Sequence, residues 1–219
     1  MAHMKMLCAL RDRLPVSCLM CGERTSGGVC RHCRTAVWAS MAAQHPRCLR
    51  CGLTLVSLSS ACMECRDLSA ELERVVTAFD YAWPGDLLIQ HLKQRRRFSC
   101  APALAALLAE RCDELRRLLP FPDALWCKHR TLVTAVPASR QSLIGRGYNP
   151  AGEIGRDLAR RLALEWRPDL LQRVREGPRQ KGGNRQARRR SVQGLYRCCG
   201  DVAGRQVLIW QWNLRRKAF

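Results

Sequence analysis

Acidic residues are scarce in this chain: 18 Asp and Glu stand against 38 Lys and Arg in 219 residues, a formal net charge of +20. Such an imbalance points to phosphate-bearing partners (nucleic acid, a nucleotide or a phosphorylated sugar), with a solvated Arg-rich surface as the alternative. A long apolar run is also missing from the start. The stretch before Arg11, Asp12 and Arg13 is too short and too charged for a signal peptide or a membrane span. Without an export signal a disulfide framework has no oxidising compartment, so a cytoplasmic location is expected. The length suits one small module and one ordinary domain.

Cysteine, by contrast, is abundant and ordered. Four Cys-x-x-Cys pairs occupy the first third: Cys18/Cys21, Cys30/Cys33, Cys48/Cys51 and Cys62/Cys65. Two sulfurs on one tight turn reach the same ion, and two such turns close a tetrahedral site with no position left for substrate. Eight thiols therefore predict two structural zinc ions in a folded module over residues 1–70. A thioredoxin-like pair would explain one Cys-x-x-Cys and not four. Sequential pairing is favoured because its loops are short, with interleaved pairing left open. His32 and His45 find no vacancy and are expected at the surface. Cys8, Cys100, Cys112, Cys127, Cys198 and Cys199 lack ligand spacing and read as small buried hydrophobes.

Residues 1–70 hold 9 Lys/Arg and 4 Asp/Glu, or +5. Eight thiolates and two Zn2+ would bring that to about +1, so most of the basic surface falls in residues 71–219. There, residues 74–81 are β-branched and aromatic and predict a strand ended by the turn Trp83-Pro84-Gly85. Leu87, Leu88, His91 and Leu92 follow at helical spacing and lead into Lys93, Arg95, Arg96 and Arg97. Ser99 and Pro102 open a helix bearing Leu104, Leu107, Leu108, Cys112, Leu115 and Leu119. Residues 131–136 predict a strand halted by Pro137, followed by a loop containing Gly145-Arg146-Gly147. Asn149 then caps a helix with Pro150 at its first position and Ile154, Leu158 and Leu162 on one face. Residues 206–209 predict another buried strand. Strands alternating with helices argue for an α/β domain with a largely parallel sheet.

Between Arg173 and Arg190 lie eight basic residues and one acid, Glu176, broken by Gly177, Pro178, Gly182 and Gly183. This reads as a mobile basic loop for phosphate or nucleic-acid contact, since clustered like charge is relieved by an anion. Arg146, set between glycines, also suggests an anion contact. Together with Arg140, the candidate phosphate or nucleic-acid residues are Lys93, Arg95, Arg96, Arg97, Arg146, Arg188, Arg189 and Arg190.

Jointly these pieces resemble the ComF/GntX family, bacterial proteins with a double zinc ribbon and a type I phosphoribosyltransferase-like domain. The resemblance rests on the four Cys-x-x-Cys pairs and on Tyr81 ahead of Leu92-Lys93. It rests also on Val136-Pro137-Ala138-Ser139-Arg140 with Arg146-Gly147-Tyr148-Asn149. Its last part is Pro178-Arg179-Gln180 ahead of Arg188-Arg189-Arg190-Ser191-Val192-Gln193-Gly194-Leu195-Tyr196. Pro150 and Ser191 stand where the family often has Gln and Asn. The resemblance implies an association with competence and DNA uptake, single-stranded DNA or a phosphorylated ribose as ligand, and a protein partner in uptake. It also implies an acidic pair and a Gly/Thr loop after the last strand, a phosphate nest for phosphoribosyl pyrophosphate. In this chain Val207-Leu208-Ile209 runs instead into Trp210-Gln211-Trp212-Asn213. The expectation is therefore a phosphoribosyltransferase-like domain over 71–209 that is incomplete, an atypical tail over 210–219 from truncation or a frameshift, and no phosphoribosyl transfer. The alternatives are a zinc protein that binds nucleic acid without sequence preference, and a non-functional remnant.

Overall fold

The computed structural model describes residues 13–42, 47–48, 50–53, 55, 57, 62–65, 73–118, 126–177 and 192–210. It is a mixed helix and strand fold with a short parallel sheet. At the start, β1 (Pro15–Ser17) and β2 (Arg24–Ser26) form an antiparallel hairpin, and α1 (Arg31–Ala42) follows. A single 3-10 turn covers Met63–Cys65. Next come α2 (Asp86–Gln94) and α3 (Cys100–Leu118), then β3 (Thr131–Ala135), α4 (Arg140–Arg146) and α5 (Pro150–Leu162). The strands β4 (Glu165–Trp166), β5 (Leu171–Arg173), β6 (Tyr196–Cys198) and β7 (Gln206–Trp210) complete the described fold.

β3 is the central strand, flanked by β4 and β7 and parallel to both. All five of its residues are buried, as expected of a strand covered on both faces. Helix α5 lies on this sheet because Ala151, Ile154, Leu158 and Leu162 recur at one-turn spacing and are buried together. Asn149 caps it as the sequence indicates, its Oδ1 accepting from the Ala151 N–H at 3.2 Å and its Nδ2 donating to the Val136 carbonyl at 3.1 Å. Helix α3 packs on α5 and on α2, and its Leu104, Leu107, Leu108, Cys100 and Cys112 join the core. Of the remaining lone cysteines, Cys127 and Cys199 are half-buried and Cys198 is exposed.

Four expectations need correction. Residues 74–81 form no strand: the Val75 N–H donates to the Arg50 carbonyl at 2.8 Å, and no neighbouring strand extends the pairing among the described residues. Their apolar content reflects packing, since Val76, Phe79 and Tyr81 lie against the core. The loop expected around Gly145-Arg146-Gly147 contains the short helix α4, with Ser139 capping it and Gly147 ending it in a left-handed conformation at φ 80°. β7 is half-buried rather than buried: it is the outer strand of the described sheet and Ile209 is 51% exposed. The stretch from Arg173 opens in a hairpin, since β5 pairs antiparallel with β6. Residues 178–191, including Arg188, Arg189 and Arg190, lie outside the described residues, as do Leu119, Cys8, His45 and the tail beyond Trp210.

Gly155 lets α5 approach the sheet closely. A Cβ there would stand 2.8 Å from Cζ3 of Trp166 and 3.6 Å from Cβ of Ala135. The Gly155→Ala variant should lose about 1–3 kcal/mol of stability through overpacking, read as a lower urea midpoint at unchanged m-value. An unchanged midpoint would contradict this packing.

Candidate metal centres and basic face

The first Cys-x-x-Cys pair sits in the turn joining β1 to β2. The Cys18 N–H donates to the Glu23 carbonyl at 2.7 Å and the Gly22 N–H to the Cys18 carbonyl at 2.9 Å, with Gly22 at φ 84°. Cys30 precedes α1 and Cys33 lies in its first turn, so the helix start aims the second pair back at the first. The second group repeats the device. The Cys48 N–H donates to the Leu53 carbonyl at 2.8 Å, the Gly52 N–H to the Cys48 carbonyl at 2.9 Å, and Gly52 stands at φ 72°. Glycine takes these left-handed positions without a Cβ penalty. Cys62 and Cys65 are presented by the 3-10 turn.

The sulfurs gather sequentially into two groups, Cys18, Cys21, Cys30 and Cys33, then Cys48, Cys51, Cys62 and Cys65. Within each group all ligand atoms lie within 4.8 Å of one another. Sγ–Sγ separations are 3.7 Å for Cys21–Cys30 and 3.5 Å for both Cys48–Cys65 and Cys51–Cys62. A tetrahedron with Zn–S near 2.3 Å has edges of about 3.8 Å, close to these three separations, so the residues present fit such an ion. The thirteen described cysteines are free thiols. His32, as expected, is exposed and belongs to neither group.

The electrostatics of the groups agree with a cation. Burial opposes ionisation of Cys18, yet N–H groups from Cys21, Cys30 and Met20 outweigh it and bring its thiol down to about 6. The Cys51 and Arg50 backbone does the same for Cys48, against some burial, also to about 6. Burial, then the neighbouring thiols, push Cys65 up to about 12 and Cys33 upward as well. Cys18 and Cys48 ionise readily while Cys33 and Cys65 resist, a conflict that a divalent cation would remove.

The basic candidates divide by position. Lys93 is half-buried near the end of α2; burial first, and the charge of Arg146 second, lower its ammonium to about 8. Arg96 takes φ 51° after the helix and donates from Nη2 to the Gly145 carbonyl at 2.9 Å. The Tyr148 hydroxyl donates to the Leu92 carbonyl, and its ring meets Phe98 with centroids 4.6 Å apart. Lys93, Arg96 and Arg146 are thereby brought to one region beside an aromatic pair. Arg95 and Arg97 are exposed and lie on the His91 side of the same turn. Arg140 stands at the other end of α4, its backbone N–H donating to Glu176 at 2.7 Å.

Sequence reasoning missed the Phe98–Tyr148 pair and the part played by His91, whose carbonyl accepts from the N–H groups of both Arg95 (3.2 Å) and Arg97 (3.1 Å). An aromatic residue, Phe98, directly after Arg95, Arg96 and Arg97 was the available signal for the first. Among the described residues no helix is long and apolar enough to cross a membrane.

The chain is 29% identical over 184 residues to the DNA utilization protein YhgH of Escherichia coli O157:H7, covering 83% of this chain and 76% of that protein. The same values hold for the DNA utilization protein YhgH of Salmonella typhi. Competence protein F of Haemophilus influenzae is 25% identical over 171 residues, 77% of this chain and 69% of the relative. No protein-family model and no solved structure matches the chain.

Purified chain should carry about two metal ions, and Cys18→Ser with Cys21→Ser, or Cys48→Ser with Cys51→Ser, should lower that to about one. Because the ligands bind as thiolates, protons compete with the metal: retention is complete at high pH and lost as pH falls. Metal analysis across a descending pH series checks the sign; a rise in bound metal on acidification would contradict it.

Proposed function

We propose that this chain is a cytoplasmic DNA-handling protein of the competence type, with two structural zinc centres and a basic face that holds the phosphates of single-stranded DNA. The observation that carries the reading is its similarity, over 83% of its length, to relatives named for DNA utilization and, over 77%, to one named for competence. The clustering of Lys93, Arg96 and Arg146 supports it, because cations held together are relieved by an anion. Phe98, 52% exposed beside Tyr148, adds an aromatic surface on which a base could stack.

Under this reading the parallel sheet is phosphoribosyltransferase-like, the zinc region spans residues 1–70 and the α/β region spans 71–209. No phosphoribosyl transfer is assigned, since Ile209 is followed by Trp210-Gln211-Trp212 and not by an acidic pair. A protein partner in DNA uptake belongs to the same reading. The phosphorylated ribose remains the competing ligand for the same cluster.

The discriminating experiment is a single-stranded DNA titration at several salt concentrations, repeated with phosphoribosyl pyrophosphate as competitor. The expected result is binding that weakens steeply with salt, with a log–log slope near −0.7 per phosphate neutralised. Alanine at Lys93, Arg96 and Arg146 together should flatten that slope by about 2 units. Salt-insensitive binding, or saturable phosphoribosyl pyrophosphate binding that displaces DNA, would overturn the reading.

A further inference from the structure

Two segments far apart in the chain carry the clustered cations, residues 92–98 and residues 145–148. Three side-chain contacts join them. The Tyr148 hydroxyl donates to the Leu92 carbonyl, the Tyr148 ring meets Phe98 with centroids 4.6 Å apart, and Arg96 Nη2 donates to the Gly145 carbonyl at 2.9 Å. Tyr148 makes two of the three.

Those two contacts bracket the basic turn. Leu92 lies in the last turn of α2, where the final four carbonyls have no intrahelical partner, so the hydroxyl satisfies a group that the helix leaves open. Phe98 stands at the other end of the turn, just ahead of α3, and its carbonyl accepts from the Ala101 N–H at 3.0 Å. Lys93, Arg95, Arg96 and Arg97 lie between the two. One side chain therefore grips both ends of the segment that bears them.

The same residue governs the other segment. No residue of α4 is buried, so the packing of that helix does not fix Arg146. Gly147 ends the helix at φ 80°. Tyr148 comes next, and its side chain is the first after Arg146 to pack against the hydrophobic core. Asn149 follows, held by the Val136 carbonyl at 3.1 Å, and starts α5.

We propose that Tyr148 is the positioning residue of the basic face: its hydroxyl and ring lock residues 93–97 against Arg146, and the locked pair of segments, rather than either alone, holds the phosphates of single-stranded DNA. The inference rests on the DNA-binding reading of this face, but its structural part is separately testable. Without the hydroxyl the segments populate arrangements in which the cations no longer converge. Affinity then falls with the fraction of chain left in the competent arrangement.

The test uses the full-length chain. Tyr148→Phe keeps the ring beside Phe98 and removes only the hydroxyl. It should weaken single-stranded DNA binding about fivefold, the net worth of one hydrogen bond. It should also raise amide hydrogen exchange over 93–97 and 140–146 while leaving bound metal and exchange elsewhere unchanged. Tyr148→Leu loses the aromatic contact as well and should weaken binding about tenfold or more. A double-mutant cycle separates positioning from general stability. Once Arg146→Ala has removed the partner cation, Tyr148→Phe should weaken binding by a smaller factor than in the unmodified chain, because less convergence remains to be lost. The proposal is overturned if Tyr148→Phe binds DNA as the unmodified chain does, if its effect and that of Arg146→Ala simply add, or if exchange rises equally throughout the chain. Absence of DNA binding in the unmodified chain would defeat the DNA reading alone; the exchange over 93–97 and 140–146 would still decide the positioning.

Discussion

Four sulfurs gathered within 4.8 Å at the edge of a hydrophobic core are the constraint on which the first part of this molecule depends. Neutral thiols there would forfeit the backbone N–H groups aimed at Cys18, and several thiolates would repel at short range. A tetrahedral cation satisfies both demands and ties the β1–β2 turn to the start of α1. A segment of this size buries too little apolar surface to order itself. The first group also shares the core of α2 and α3. The second rests on its own turn geometry and a few polar links.

The rest of the fold is held by packing of helices on the parallel sheet. α5 lies on the sheet, α3 packs on α5 and on α2, and the region of the first four-cysteine group meets α3 through Gly28 and Arg34. Tyr148 joins the start of α5 to the end of α2 through the Leu92 carbonyl, and Arg96 spans to Gly145. Cations from two separate segments, Lys93 and Arg96 from one and Arg146 from the other, thus meet because of buried contacts behind them.

Much of this was legible in the sequence where one local rule determines structure. The Cys-x-x-Cys spacing marked the sulfur-bearing segments, and short loops favoured the sequential grouping that the structure shows. Asn149 and Pro150 marked the start of α5, and the spacing of Ile154, Leu158 and Leu162 marked its buried face. Failures came where tertiary context decides. Residues 74–81 have strand composition, but Val75 finds only the Arg50 carbonyl, so packing accounts for their apolar character. Helix α4 has no buried residue, which removes the periodicity that would have revealed it between Ser139 and Gly147. The meeting of Lys93, Arg96 and Arg146 depends on contacts between segments far apart in the chain, such as Arg96 with Gly145.

The most direct test of the account is the cooperativity of unfolding with and without metal, followed by near-ultraviolet circular dichroism on the full chain. Trp126, 1% exposed in the core, contributes to that signal. With about two ions bound, the account expects one sharp transition, and after complete chelation it expects the transition to broaden and move to much lower denaturant. An identical transition in the metal-free chain would show that the core stands without its cysteine-bound ions, and would contradict the account at its centre.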